Sequence, residues 1–370
     1  MINKGLKGVE VTNTKISFID GTRGWLIYRG RDAKNLSLDY TYEEIAYFLW
    51  YGKLPNSQEL NQFSLKLKEE RTLPQYLKSI LKTLPQNMDM MGVLRTAISS
   101  LGTTEHGWKP TIDEAIEITA KIPTIISFRF RNLLGLDPIE PNEEYNHAKN
   151  YLYMLNGTEP STIHVKALES YMILTMEHGM NASTFTSRVV ASSESDLISA
   201  VVGAIGTMKG PLHGGAPTEV ISMLDEIKVK ENVDAWLRTK LVSGERIMGF
   251  GHRVYNTKDP RALALKEITS QIGGDDPWLD LANYLEMRAI ELLEEYKPGR
   301  KLYTNVEFYA AAIMKAIQLD PSLFTPTFTA SRIVGWTAHV LEQAEDNTIY
   351  RPDSHYIGEM IHGDGSPASC

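Results

Sequence analysis

Apolar residues recur along most of the chain at the three-to-four spacing of an α-helix, not at the alternation of a strand. Trp278, Ala282, Leu285, Ala289, Leu292, Leu293 and Tyr296 form one such stripe. Asp276 stands where a cap would, Pro277 takes the first helical position, and Pro298-Gly299 stops the element. In "PSTIHVKALESYMILTMEHG", Ala167, Leu168, Tyr171, Met172 and Thr175 share a face, and Gly179 ends the helix. Similar patterns predict helices over 42–51, 57–70, 112–130, 144–155, 195–208, 305–317 and 328–343. The clearest strand signal is "KISFIDGTRGWLIYRG", where Asp20-Gly21 separates two apolar runs as in a hairpin or an irregular strand pair. There is no internal repeat and no low-complexity segment, and the final "HGDGSPASC" reads as a loose tail. The pattern therefore predicts a large all-α protein with little β. Periodicity does not locate a domain boundary. "GPLHGGAP", 210–217, is the hinge candidate, because glycines absorb large backbone changes.

Composition narrows the class. The chain has 370 residues, long enough for about two domains. With 42% hydrophobic and 23% charged residues it has the balance of a globular protein. Lys and Arg number 38 against 46 Asp and Glu, a net charge of −8, which argues against a nucleic-acid or anionic-membrane surface. Small anionic ligands need only a local cluster of arginines and are not excluded. The longest stretch without a formal charge, Leu197–Met208, falls short of the ~18 residues of a membrane span. The N-terminus "MINKGLKGVEVTNTK" has no apolar signal-like run. The single cysteine, Cys370, allows no intrachain disulfide, so the expected setting is the cytoplasm.

The nine histidines contain no His-x-x-x-His or His-x-His pair, so no metal site is expected. Three sit beside glycine: His178, His213 and His252. A neighbouring glycine leaves the ring unshielded and lets a ligand approach the backbone. Each also has an ordinary explanation. His178 can complement a helix C-terminus, His213 can be a turn residue, and His252 a loop residue with its own hydrogen bond. "GFGHRV" resembles the start of a phosphate loop, but it lacks the third glycine and a convincing preceding strand. Arg261 and Arg351 occupy positions where an arginine is usually solvated or ion-paired. Arg332 differs: Ile333, Val334, Trp336, Val340 and Leu341 surround it, so its guanidinium needs a partner, and a carboxylate ligand would serve. Asn305 can cap a helix and place Glu307 in its first turn, where acids are common because the helix dipole favours them.

Taken together, "GPLHGGAP", "GFGHRVYNTKDPRA", "NVEFYAA", "SRIVGWTAHVLEQ" and "YRPDSHYIG" resemble the citrate synthase family, in the family's order and spacing. "ISFIDGTRGWLIYRG" and "EHGMNAST" are similar too, so the likeness runs over essentially the whole chain. It is closest to the short, dimeric bacterial and archaeal type. The resemblance implies a two-domain all-α fold, with 1–214 and 319–370 as the large domain and 215–318 as the small one. It implies condensation of acetyl-CoA with oxaloacetate, then hydrolysis of citryl-CoA to citrate and coenzyme A, with no permanently bound cofactor. His213 would stabilise the enol or enolate at the thioester carbonyl, His252 would meet the oxaloacetate carbonyl, and Glu307 would be the base. His178, Arg261 and Arg332 would hold carboxylates, and Arg351 would reach into the partner's site of a homodimer. Ile247, Met248, Gly249, Phe250, Gly251 and His252 would lie against coenzyme A, with Lys258 a candidate for its phosphates.

Such chemistry needs residues of these kinds. Taking a methyl proton from a thioester requires a base on one side and an oxyanion donor on the other. A dianionic electrophile needs guanidinium forks for its carboxylates and a donor for its ketone. One departure stands out, because the family's base is usually aspartate. In water the two acids ionise at nearly the same pH, with pKa values of about 3.9 and 4.3, so basicity hardly changes, but reach changes by one methylene. A ~1 Å misplacement can cost 100-fold, which predicts a slow enzyme or a compensating backbone shift. Two other functions fit the same residues. One is 2-methylcitrate synthase acting on propionyl-CoA. The other is a non-catalytic paralogue that binds coenzyme A or a dicarboxylate.

Overall fold

The computed structural model describes residues 3–6, 8–214, 217–252, 254–272 and 277–358. Asp276, two glycine-hinge residues (Gly215 and Ala216) and the tail from residue 362 onward lie outside the described residues. Three short strands open the chain: β1 (Ser17–Asp20), β2 (Trp25–Tyr28) and β3 (Arg31–Asp32), antiparallel in that order. The first half of the helical body is α1 (Ala33–Asp39), α2 (Tyr42–Tyr51), α3 (Ser57–Glu69), α4 (Gln75–Thr83), α5 (Met90–Ser99), α6 (Ile112–Leu133), α7 (His147–Asn156) and α8 (Thr162–Met176). The second half is α9 (Ala182–Ser192), α10 (Leu197–Met208), α11 (Thr218–Ile227), α12 (Lys230–Val242), α13 (Pro260–Ile272), α14 (Pro277–Tyr296), α15 (Val306–Ala316) and α16 (Phe324–Glu345). The fold is all-α, and among the described residues the strands are those of the first hairpin and its short continuation, with one further isolated bridge between Phe250 and Thr304.

The hairpin forms where Asp20-Gly21 predicts it. Ser17 pairs with Tyr28 and Asp20 with Trp25, and the Asp20 carboxylate accepts the Thr22 and Arg23 N–H groups, both at 2.9 Å, to close the turn. Polar side chains set most of the helix starts. Thr41, Asn56 and Thr111 each form a reciprocal capping box with a glutamate three residues on.

Helix α8 departs from the one-faced stripe read in the sequence. Every residue from Ala167 to Met176 is buried, because α1, α7, α13 and α16 surround it. It also stops at Met176 instead of running to Gly179, with Glu177 extended (φ −143°, ψ 144°) as its C-cap. His178 therefore lies in the loop beyond the helix, not in its last turn. The 22-residue α16 crosses the same core and packs on α6, α8, α9 and α10. At their crossing Gly335 has no room for a side chain. A Cβ there would meet the Met176 carbonyl oxygen at 2.4 Å and Glu177 Oε2 at 2.6 Å. That close approach brings Arg332, one turn earlier on α16, against the open end of α8.

Candidate active site

The site is assembled from three polar ends: the loop after α8, the segment from Ile247 to Arg261, and the start of α15. Residues 249–251 pair with 303–305 as a short antiparallel ribbon. The Gly251 N–H donates to Tyr303 O at 2.7 Å, the Asn305 N–H to Gly249 O at 2.9 Å, and Asn305 Nδ2 to Gly251 O at 3.0 Å. Gly249 and Gly251 hold φ of +81° and +83°, and a Cβ on Gly249 would strike the Phe308 ring at 2.9 Å. Within this ribbon Ile247 is buried, and Met248 and Phe250 are half-buried. The same Asn305 caps α15 by accepting the Glu307 N–H at 3.0 Å, as its position in the sequence predicts.

His252 is held in one protonation pattern. The main-chain N–H groups of Val254 and Tyr255 donate to its Nδ1 at 3.0 and 3.1 Å. Burial first, then the Arg261 charge, push its pKa down to about 4, against the opposing pull of Asp259. The ring is therefore neutral near pH 7 and carries its proton on Nε2. That Nε2 lies 3.2 Å from Arg261 Nη2, which can only donate. Two donors facing each other at this distance make a gap that an oxygen acceptor fills.

Arg261 is buried and clamped by Asp259, Nε to Oδ1 at 3.0 Å and Nη2 to Oδ2 at 2.8 Å. Burial is the largest single effect and works against its charge, but Asp259, Tyr255 and Tyr28 together outweigh it and raise the pKa. Asp259 Oδ2 also accepts the Val306 N–H at 3.2 Å, so one carboxylate ties the arginine to the helix that carries Glu307.

Arg332 is only 2% exposed. Its Nε donates to Thr175 O at 2.6 Å, and its guanidinium lies 4.7 Å from the centre of the Phe328 ring. Among the described residues it forms no ion pair. Burial lowers its pKa to about 10, with Glu177 the largest force the other way. Glu177 is fully buried and stays charged. Burial alone would raise its pKa, but His339 and Arg332 bring it below the usual carboxylate value. Its Oε1 accepts from Ser17 Oγ at 2.8 Å, the Gly179 N–H at 2.5 Å and His339 Nε2 at 3.1 Å. Tyr28 Oη donates to the Glu177 carbonyl at 2.8 Å, so the hairpin fixes the loop that presents His178. Burial, Arg261, Arg332 and His252 together push the His178 pKa well below its ordinary value.

His213 meets Ser183. Its Nε2 lies 2.7 Å from Ser183 Oγ and accepts the Ser183 N–H at 3.3 Å. Trp336 Nε1 donates to the same hydroxyl at 2.9 Å. Burial and then Arg332 lower the His213 pKa to about 4. The Ser183 hydroxyl also donates to Asn181 Oδ1 at 2.8 Å, so Nε2 stands between a main-chain donor and a hydroxyl whose own proton is engaged, and the ring is neutral. Glu307 has the opposite shift. Burial raises its pKa to about 7, against the opposing field of Arg261.

Most of the residues singled out in the sequence thus fall into one electrostatic unit. His178 and His252 are in ring contact at 5.7 Å, and Arg261 and Arg332 act on both histidines or their neighbours. His213 joins through Arg332, and Glu307 through Arg261. Two residues lie apart. Lys258 is exposed and lines a cavity of about 220 Å3 between α13 and α14. Arg351 is exposed in the stretch after α16, where the Tyr350 N–H donates to Ser192 Oγ at 3.1 Å. Sequence reasoning missed Tyr255, Ser183, Trp336, Glu177 and Asp259 as contributors, because none carries a spacing signal of its own. Among the described residues no group of three or more His, Cys, Asp or Glu side chains could hold a metal ion.

Polar groups buried this deeply, and left open toward one another, are more than a purely structural helical assembly requires; they define an enzyme. The comparisons with known proteins agree. The description "Citrate synthase, C-terminal domain" matches residues 5–353. The citrate synthase of Haloferax volcanii is 40% identical over 97% of this chain and 96% of its own length. A 2-methylcitrate synthase of Mycobacterium tuberculosis is also 40% identical, over 96% of this chain and 91% of its own. The crystal structure of citrate synthase from Thermotoga maritima superposes with a TM-score of 0.87 at 39% identity, covering 98% of each chain. The Thermoplasma acidophilum citrate synthase, solved as a ternary complex with carboxymethyl coenzyme A and oxaloacetate, gives 0.90 at 28% identity, again over 98% of each chain. The chain belongs to the citrate synthase family. It is an acyltransferase of that family, and no helix among the described residues is long and apolar enough to cross a membrane.

Proposed function

We propose that the protein is a citrate synthase that condenses acetyl-CoA with oxaloacetate and hydrolyses the citryl-CoA formed. Arg332 and Arg261 receive the oxaloacetate carboxylates, with His178 between them, and Arg351 of a partner subunit completes the set in a homodimer. The ketone oxygen enters the gap between His252 Nε2–H and Arg261 Nη2. The neutral His213 ring donates its proton to the thioester carbonyl, while the Glu307 carboxylate takes a proton from the methyl group. The carbanion-like carbon attacks the ketone, and the oxygen that becomes an alkoxide is met by the His252 donor. Water then cleaves the thioester in the closed cleft. Closure moves 215–318 against 1–214 and 319–370, and Ile247 to His252 line the coenzyme A side. The reaction needs no bound cofactor, and a chain with a single cysteine suits the cytoplasm.

The observation that carries this reading is the pairing of opposite shifts. Two histidines are neutral and one carboxyl is poised to ionise near pH 7, all within one cluster with Arg261 and Arg332. The test is release of coenzyme A thiol with each acyl donor in the presence of oxaloacetate. Citrate synthase activity requires faster release from acetyl-CoA. Faster release from propionyl-CoA supports the second reading, 2-methylcitrate synthase, since the chain is as identical to the mycobacterial 2-methylcitrate synthase as to the Haloferax citrate synthase, 40% in each case. One methyl is worth only ~1–3 kcal/mol of discrimination. Oxaloacetate binding by calorimetry with no thiol release from either donor would mark a non-catalytic binder.

A further inference from the structure

Tyr255 lies inside the "GFGHRVYNTKDPRA" motif and within the cluster of His178, His252 and Arg261, yet it has no role in the proposed chemistry. Its side chain is 3% exposed, and its ring is wedged in the site, tilted on His252 at 4.8 Å and beneath the Arg261 guanidinium at 5.7 Å. Its hydroxyl stands 3.2 Å from His178 Nε2, a long distance for an O–H···N bond. Burial raises its pKa above the ordinary phenol value, so the group is a neutral hydroxyl at any working pH. Around it stand two guanidiniums, which only donate, and two neutral imidazoles, each with one donor and one acceptor nitrogen. Asp259 and Asp32 act on it through their charge, but Asp259 is bonded to Arg261 and Asp32 caps α1. Among the described residues no carboxylate is bonded to Arg332, to His178 or to this hydroxyl. The hydroxyl therefore has only the His178 nitrogen to donate to, a neutral acceptor at long range that a charged carboxylate oxygen would better.

We propose that Tyr255 is a substrate-binding residue whose O–H donates to the same oxaloacetate carboxylate oxygen that His178 takes. An oxygen settling between the two draws the hydroxyl hydrogen by a rotation about the C–O bond. It takes the His178 Nε2–H as well, once the ring carries its proton on that nitrogen. The two segments that now touch directly then touch through the ligand. Binding of the first substrate is in this way coupled to the spacing of the loop after α8 and the 252–261 segment.

The inference rests on the site being an oxaloacetate site. Oxaloacetate is titrated calorimetrically into wild type, Tyr255→Phe, His178→Ala and the double variant, without acyl-CoA. Phenylalanine keeps the wedged ring and removes only the oxygen, and any unfolded fraction lowers the stoichiometry without altering Kd. The expected result is a Kd raised at least tenfold by Tyr255→Phe, as for a lost hydrogen bond to a charged group, in both the wild-type and the His178→Ala backgrounds. An unchanged Kd overturns the proposal. So does a tighter one, which would make the hydroxyl a placeholder that substrate displaces. A loss seen only when His178 is present overturns the direct contact. If wild type itself fails to bind oxaloacetate, the reading of the site fails instead.

Discussion

Glu307 is the residue on which the chemistry turns. A base that is half protonated at about pH 7 loses activity on the acid side, so kcat/KM for the acyl donor should fall about tenfold per unit below that pH and level off above it. The same shift acts on stability with the opposite sense. The folded carboxyl binds its proton more tightly than the unfolded one, so wild type loses stability as pH rises from about 4 to about 7. Glu307→Gln removes that loss. It should be more stable than wild type by about 1–3 kcal/mol in urea at pH 8 and equal to it at pH 4, while condensation is abolished. Glu307→Asp tests reach. The Asn305 cap, the ribbon to Gly249 and the Asp259 bond to Val306 all fix the start of α15, which leaves little freedom to follow a shorter side chain. Steady-state kinetics should show kcat reduced by about 10–100-fold with the KM for oxaloacetate unchanged. A gain in kcat would mean that the glutamate is the misplaced base.

The main site residues were legible because histidine beside glycine and arginine within an apolar stripe are unusual patterns. Their partners were not. Ser183, Trp336 and Asp259 look like ordinary helix and turn residues until the fold brings them to His213 and Arg261.

At the scale of elements, periodicity found the long helices and missed α1, α4, α5, α9, α11, α12 and α13. Helix α9, "ASTFTSRVVAS", is rich in serine, threonine and valine, which are poor helix formers, and it is held by packing on α10 and α16. In α13 the stripe is broken by Arg261, a site residue that is buried. Function overrode the pattern at that point. The decisive contact between elements is the crossing of α16 over the end of α8. Gly335→Ala must push α16 away from Met176 and Glu177. Denaturant unfolding should show a loss of about 1–3 kcal/mol, typical of overpacking. Because Arg332 lies one turn away, oxaloacetate KM should rise in the same variant. A variant with native KM would show that Arg332 does not depend on this crossing.

For the molecule as a whole, helical class could be read from the sequence, whereas division and assembly could not, because no composition shift marks residues 215 or 318. Arg351 illustrates the point. It is exposed, and among the described residues no hydrogen bond or ion pair joins it to the other site residues. If it serves a partner's site, Arg351→Ala and His213→Ala should each be inactive alone. Equal mixtures after refolding together should recover about a quarter of wild-type activity, since half the dimers are mixed and each has one complete site. An active Arg351→Ala would place the residue outside catalysis, and no recovery from two inactive variants would place it in its own chain's site.

The most direct test of the proposed chemistry is thiol release followed with acetyl-CoA and oxaloacetate together, for wild type and Glu307→Gln at pH 8. Wild type should release thiol only when both substrates are present, and the variant should release none above background, while both proteins bind oxaloacetate. Turnover retained by Glu307→Gln, or a wild type that binds oxaloacetate yet releases no thiol from either acyl donor, would contradict it.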